Sequence, residues 1–276
     1  MVCTMSNDKE SNMATWEERL KQASQTYERF VPGVEPGRVL ASMERNMGAL
    51  GTFAFTAVGE MWSRPGLSRR DRSLMIVSVL AAQSRDEELV LHTQIGLRHG
   101  LKRSEIEEIN LHIAAYAGFP AAMAASRRMD DGIRQAEGLD RLEERQGADH
   151  LDDDERLSRA AEVRQSLTAG SAASDPEVDL KNMRDVLGGV GEWAMLYAFG
   201  EIWARPQLSR RDRSLVVIAI LTALGQEAEL AFHVPGGLNH GLTQEEIEEM
   251  MTHLCLYVGF PRAVDGMRAV KKALDA

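Results

Sequence analysis

The chain lacks the features that mark several large classes of protein. Its only two cysteines, Cys3 and Cys255, stand near opposite ends of 276 residues and form no Cys-x-x-Cys pair. A disulfide scaffold and a structural zinc site are therefore not expected. There is no Lys/Arg-rich tract, and 42 acidic against 32 basic residues give a formal net charge of −10. Phosphate binding depends on basic side chains that release counterions, so nucleic acid and anionic membrane surfaces are not expected partners. No apolar run approaches the roughly 20 residues that a membrane-spanning helix needs. The opening stretch MVCTMSNDKESNMATWEE has no apolar segment of the kind that directs secretion. Together these absences predict a cytoplasmic protein with no membrane partner.

What the chain does have is a repeated sentence. GEMWSRPGLSRRDRSL begins at Gly59, and GEIWARPQLSRRDRSL begins at Gly200, an offset of 141 positions. The same offset maps Glu201 to Glu60, Trp203 to Trp62, Arg213 to Arg72, Glu229 to Glu88 and Tyr257 to Tyr116 without a gap. One inserted residue would turn a helical face by about 100°, so an uninterrupted register means the same backbone built twice. The charged stretch AEGLDRLEERQGADHLDDDERL between the copies suits an exposed connector. The expected organisation is a first domain over 1–140, a linker over 141–153 and a second domain over 154–276.

Within each copy the pattern predicts helices. DRSLMIVSVLAA, from Asp71, is apolar around most of its circumference and reads as a buried helix. Ser68 with Asp71, and Ser209 with Asp212, have the spacing of a capping box at its start. EELVLHTQIGLRHG reads as a helix stopped by Gly100, and SEIEEINLHIAAYAG as one ended by Gly118. TAGSAASDPEVD reads as a loop whose proline opens the next helix. No hairpin signal follows any of the apolar stretches, and the fold expected is all-α.

Six of the seven histidines fall into matched pairs: His92 with His233, His99 with His240, and His112 with His253. Glu88 precedes His92 by four residues, as Glu229 precedes His233, so on a helix each carboxylate shares a face with its imidazole. A carboxylate that orients an imidazole is a common preparation for acid–base work, and these four residues are the candidate catalytic set. The competing reading is a surface ion pair. His99 and His240 stand just before a terminating glycine, where a partly cationic ring caps a helix C-terminus. His112 and His253 lie inside helices, four residues before Tyr116 and Tyr257, as buried structural histidines do. Arg72 and Arg213, at the entrance to the apolar helix, call for an anion: either a protein carboxylate such as Glu60 or Glu201, or a substrate carboxylate held bidentately. Trp62 and Trp203 are candidates for walling a binding pocket or for anchoring the core.

Taken in order, Gly-Glu-x-Trp-x-Arg-Pro-x-Leu-Ser-Arg-Arg-x-Arg-Ser-Leu, Glu-Leu-x-x-His, a Gly-Leu turn and Glu-Ile-x-Glu with Tyr-x-Gly-Phe-Pro resemble the carboxymuconolactone decarboxylase family. The resemblance covers most of both halves and implies two tandem AhpD-like helical domains forming an internal pseudo-dimer. AhpD-like peroxidases carry Cys-x-x-Cys before the motif histidine. The matching positions here are Arg85 and Glu88, then Gln226 and Glu229, so thiol-based peroxide reduction is excluded. The resemblance implies a cofactor-independent decarboxylase acting on a carboxylated lactone or cyclic keto acid. His92 or His233, oriented by Glu88 or Glu229, would carry the proton, and Arg72 or Arg213 would hold the carboxylate. No metal or organic cofactor is expected, although two imidazoles and a carboxylate are a possible ligand set for zinc or iron. Different proton-transfer or ring-opening chemistry is the alternative, followed by a non-catalytic scaffold. Pro235 distinguishes the second copy and predicts a bend near His233. Fusion of two copies further predicts a homotrimer, a pseudo-hexamer of repeats.

Overall fold

The computed structural model describes residues 14–275, all of whose regular elements are helices. Cys3 and most of the opening stretch lie outside the described residues. By packing, the chain divides between residues 64 and 65.

The first unit holds α1 (Trp16–Phe30), α2 (Pro36–Met47) and α3 (Ala49–Ser63). Thr15 and Glu18 form a reciprocal capping box at the start of α1, and Tyr27 stacks on Phe55 with ring centroids 4.5 Å apart. Gly59 lets α1 and α3 approach closely, since a Cβ there would lie 2.3 Å from the Cα of Ala23. Glu60 accepts from Arg19 at 2.7 Å.

The second unit is built around α4 (Arg69–Ala82) and α11 (Arg210–Leu224), which pack on each other. Every residue from Asp71 to Ala82 and from Asp212 to Ala223 is buried. A helix without a polar face is stable only where all its sides are covered. Around α4 stand α5 (Asp86–Arg98), α6 (Arg103–Tyr116) and α7 (Phe119–Glu137). Around α11 stand α12 (Glu227–Asn239), α13 (Gln244–Val258) and α14 (Phe260–Leu274). Gly118 and Gly259, with φ of 94° and 85°, make the turns into α7 and α14, a conformation that side-chain-bearing residues disfavour. The helix α8 (Asp153–Leu167) opens on a capping box of Asp152 and Glu155. α9 (Pro176–Leu187) carries its proline in the first turn, as the loop pattern predicts. α10 (Gly189–Trp193) runs into a π-helix over Ala194–Trp203, where α3 is an ordinary α-helix in the same sequence register.

Ser68 and Ser209 accept from the backbone N–H of Asp71 and Asp212, each at 3.1 Å. The reciprocal half of the predicted capping box is absent, because the aspartates face the other copy. Arg70 donates to Asp212 at 2.8 Å and to Glu105 at 2.6 Å. Arg211 donates to Asp71 at 3.2 Å and to Glu246 at 2.5 Å. Such reciprocity, in which residue i meets j and j meets i, is the signature of a two-fold interface. The expected internal pseudo-dimer is thus visible in the charged contacts between α4 and α11. The connector holds no helix between Gly138 and Asp152, and Arg145 ties it down by donating to Glu107 at 2.8 Å and pairing with Asp130. No described helix is long and apolar enough to cross a membrane.

The repeated Gly-Glu-x-Trp phrase contains one position that packing dictates. A Cβ on Gly200 would lie 2.5 Å from the carbonyl oxygen of Arg156 in α8, and backbone cannot retreat as a flexible side chain can. Gly200→Ala is expected to destabilise the protein by about 2 kcal/mol through overpacking, measured by urea unfolding against a surface Gly147→Ala control.

Candidate functional site

Two side-chain clusters, related by the repeat, form where the copies meet. In the first, Arg213 of α11 is fully buried. It donates from Nη1 to His112 Nε2 at 3.0 Å and from Nη2 to Glu108 Oε2 at 2.8 Å. It also donates to the carbonyls of Leu208 and Arg205 at 3.1 and 2.7 Å. The other oxygen of Glu108 accepts from Arg205 Nε at 2.7 Å. In the second cluster Arg72 of α4, also fully buried, donates to His253 Nδ1 at 2.7 Å, to Glu249 at 2.9 Å and to the Pro65 carbonyl at 3.2 Å. Each arginine therefore serves the helix of the opposite copy: Arg213 holds α6, and Arg72 holds α13.

The expected partners Glu60 and Glu201 are engaged elsewhere, with Arg19 and with Arg156 at 2.6 Å. The idea that Arg72 and Arg213 grip a substrate carboxylate needs the same correction. A guanidinium with no exposed surface and a carboxylate already in place is a structural clamp, and separating such a buried pair is costly.

Above the first clamp lies an aromatic group. His112 meets Trp203 edge-on, with centroids 5.2 Å apart, and lies beside Tyr116. Trp203 donates from Nε1 to the Tyr116 hydroxyl at 2.9 Å and stacks on His233 at 5.8 Å with 13° between the planes. The Tyr116 oxygen stands 3.3 Å from His233 Nε2. In the twin cluster His92 meets Tyr257 edge-on at 5.5 Å, and His253 stacks on Tyr257 at 5.7 Å. Trp62 belongs to the first unit, where it is buried edge-on against Phe30.

His92 and His233 are thus buried, as candidate catalytic groups in a closed site would be, but their expected carboxylates are not bonded to them. Glu88 and Glu229 are exposed, stand in the first turns of α5 and α12, and make no side-chain hydrogen bond among the described residues. A carboxylate in a first turn complements the helix N-terminus without help from an imidazole. Glu229 still acts at a distance: with burial as the larger cause, its charge raises the Tyr116 hydroxyl above its usual range, which keeps that group protonated. Burial holds His92 down to about 4 and His233 to about 3, with His99 and His240 as the lesser causes. Burial and the Arg213 charge hold His112 well below its ordinary value. All three rings are neutral at pH 7.

His99 and His240 occupy the C-cap positions of α5 and α12, but the cationic part of that expectation fails for His240. Burial, followed by the nearby Arg210, lowers it to about 4, and its two nitrogens contact Ser214 and Ser166 at 2.8 and 3.0 Å. α12 runs continuously through Pro235. No group of three or more His, Cys, Asp or Glu side chains suited to a metal ion occurs among the described residues.

Local sequence patterns do not single out two residue types of the site: the carboxylates Glu108 and Glu249, and the tyrosines Tyr116 and Tyr257 as partners of the opposite copy's histidine. Spacing carries a signal for them. Glu108, His112 and Tyr116 recur every fourth residue along one face of α6, as Glu249, His253 and Tyr257 do along α13.

The clamp generates a contrast in stability. Glu108→Gln leaves two arginines short of a buried counter-charge and is expected to cost about 3 kcal/mol. Glu60→Gln, which weakens a partly exposed pair, should cost less than about 1 kcal/mol. Urea titration of both variants measures the difference. The depressed histidines fix the sign of a pH effect. Above about 6.5 the folded and unfolded chains both hold these rings neutral. As pH falls from there toward 4, the unfolded chain binds protons that the folded chain refuses, so stability is lost. Each such histidine contributes up to about 1.4 kcal/mol per pH unit. Unfolding free energies at pH 7, 6 and 5 should fall accordingly, with a shallower slope in His233→Gln.

Comparison with known proteins agrees with the arrangement of two copies. A model of the carboxymuconolactone decarboxylase family matches residues 49–131 and again 189–272, together more than half of the chain. The 4-carboxymuconolactone decarboxylase of Acinetobacter baylyi is 34% identical over 122 residues, covering 44% of this chain and 89% of that protein. Nitrosuccinic acid decarboxylase npaB of Metarhizium robertsii is 35% identical over 88 residues, covering 31% of this chain and 57% of that protein. The repeat, the all-helical fold and the twin motif lead to one conclusion: the chain belongs to the carboxymuconolactone decarboxylase family, two copies of it in tandem.

Proposed function

We propose that the chain is a cofactor-independent decarboxylase whose substrate is a carboxylated lactone or cyclic keto acid. The observation that carries this is the buried, neutral His233 between Trp203 and Tyr116, with His92 and Tyr257 as its twin pair. Both named relatives are decarboxylases of carboxylic acids, which supports the reaction class.

The chemistry asks little of the protein beyond placement. Breaking the bond to the carboxylate releases CO₂ and leaves an electron pair, which the conjugated carbonyl or lactone of the substrate accepts. A proton must then reach carbon, and the developing oxyanion needs hydrogen-bond donors. An imidazole held neutral by burial becomes easier to protonate when an anion is bound beside it, because the opposite charge favours its cationic form. His233 therefore takes up a proton as the substrate carboxylate arrives and returns it to the carbon that has lost CO₂. Tyr116 stays protonated, and once His233 is cationic and donates from Nε2 to the Tyr116 oxygen, the hydroxyl proton is freed as a donor toward the oxyanion. Arg213 and Arg72 act from behind by holding α6 and α13 in place. Glu229 and Glu88, at the exposed ends of the same helices as the histidines, are placed to affect entry of an anion.

We also propose that the protein self-associates as a homotrimer. An apolar groove of about 880 Å³ is lined by Leu111, Phe119, Val190, Trp193 and Ile202, and Val190, Phe119 and Trp193 are strongly exposed. Light scattering after size exclusion should give three times the chain mass of 30.6 kDa, and a clean monomer would sink that proposal.

The reaction is tested by CO₂ release from carboxylated lactones and β-keto acids, using the wild type, His92→Gln, His233→Gln and the double variant. The double variant should lose at least about 100-fold in turnover, the usual scale of general acid–base catalysis. A loss confined to one single variant would assign the working site. Absence of CO₂ from every substrate with the wild type would refute the decarboxylase reading.

A further inference from the structure

The protons in the Trp203–Tyr116–His233 chain can be placed by counting donors. An indole nitrogen only donates, so the 2.9 Å contact is Trp203 Nε1–H to the Tyr116 oxygen. The same oxygen lies 3.3 Å from His233 Nε2. His233 Nδ1 is buried and has no hydrogen-bond partner among the described residues. The neutral ring carries one proton, which leaves two arrangements.

If the proton sits on Nε2 and is donated to Tyr116, the tyrosine hydroxyl proton has no acceptor in this chain of contacts and the buried Nδ1 lone pair is unmet. If Tyr116 donates to Nε2, the only unmet group is the Nδ1–H. Each buried polar group left without a partner costs about 1–3 kcal/mol, so the second arrangement is favoured. The ring is also held against rotation, stacked on Trp203 and touched edge-on by Tyr116 and Phe232 at 5.5 and 5.1 Å.

We propose that Tyr116 is a positioning residue for His233: a hydroxyl supplied by the first copy holds the second copy's imidazole in its Nδ1–H form and reserves that N–H for an anionic oxygen of the ligand. The nature of the ligand rests on the decarboxylase reading, whereas the tautomer does not. In the resting protein Nδ1 is a donor and Nε2 is already engaged, so an anion meets a hydrogen-bond donor before the ring is protonated.

The test is ¹⁵N NMR of the full chain labelled at histidine, without substrate at pH 7, with His233→Gln to assign the signals. The wild type should show a pyrrole-type Nδ1 and a pyridine-type Nε2 at His233. Tyr116→Phe, which keeps the ring and removes the hydroxyl, should lose that pattern in favour of the Nε2–H form. A wild-type His233 protonated on Nε2 overturns the proposal, and so does a Tyr116→Phe spectrum identical to that of the wild type. If Tyr116→Phe does not fold, the wild-type spectrum alone decides. An enzyme that releases no CO₂ but shows the expected pattern would fail the functional reading and leave this inference standing.

Discussion

The rest of the second unit depends on the bond between Arg213 and the Glu108–His112 pair, mirrored by Arg72 with Glu249 and His253. Burying a guanidinium and a carboxylate is expensive, and the attraction between them offsets that expense only where geometry is good and every remaining lone pair is met. Here Arg213 uses Nε, Nη1 and Nη2 on four acceptors, and Glu108 uses both oxygens. Because donor and acceptor come from different copies, the charge pair specifies how the copies dock. Apolar surfaces on α4 and α11 supply most of the stabilisation, but apolar contact alone tolerates sliding. The buried charges do not.

The same pairs set the electrostatic character of the candidate sites. Cations sit behind His112 and His253 and so keep those rings as acceptors. The aromatic layer of Trp203, Tyr116 and Tyr257 then separates the charges from His92 and His233, which burial keeps neutral. The result is a graded wall, from an ion pair at the back to a neutral imidazole at the front.

Much of the fold was legible in the sequence, because the repeat and the helix patterns are local signals. The all-apolar stretch from Asp71, the serine caps, the proline opening α9 and the turn at Gly118 each follow from spacing of a few residues. The histidines, the arginines and Trp203 of the site could be named for the same reason. Their partners could not. The i to i+4 rule pairs Glu88 with His92 and Glu229 with His233, yet those carboxylates serve helix N-termini. The partners that matter, Glu108 and Tyr116 for the second copy's Arg213 and His233, lie about a hundred positions away in the chain. What determines them is the docking of α4 on α11, which no short window of sequence contains. The stripe of Glu108, His112 and Tyr116 marks one face of α6, but spacing alone does not say what that face meets.

Crosswise construction also alters what the two copies are free to become. A substitution in α6 is felt at the histidine of α12, and one in α13 at the histidine of α5, so neither repeat can remodel its histidine's surroundings alone. The heritable module is a diagonal: half of one repeat with half of the other. Duplication supplies two such clusters, and each draws its side chains from both sides of the connector. The repeated phrase around Gly59 and Gly200 is nearly the same word for word, whereas only the second copy has a proline inside α12 and a π-helix before Trp203. Both differences lie in the second repeat and border the cluster that α6 of the first repeat completes with Tyr116.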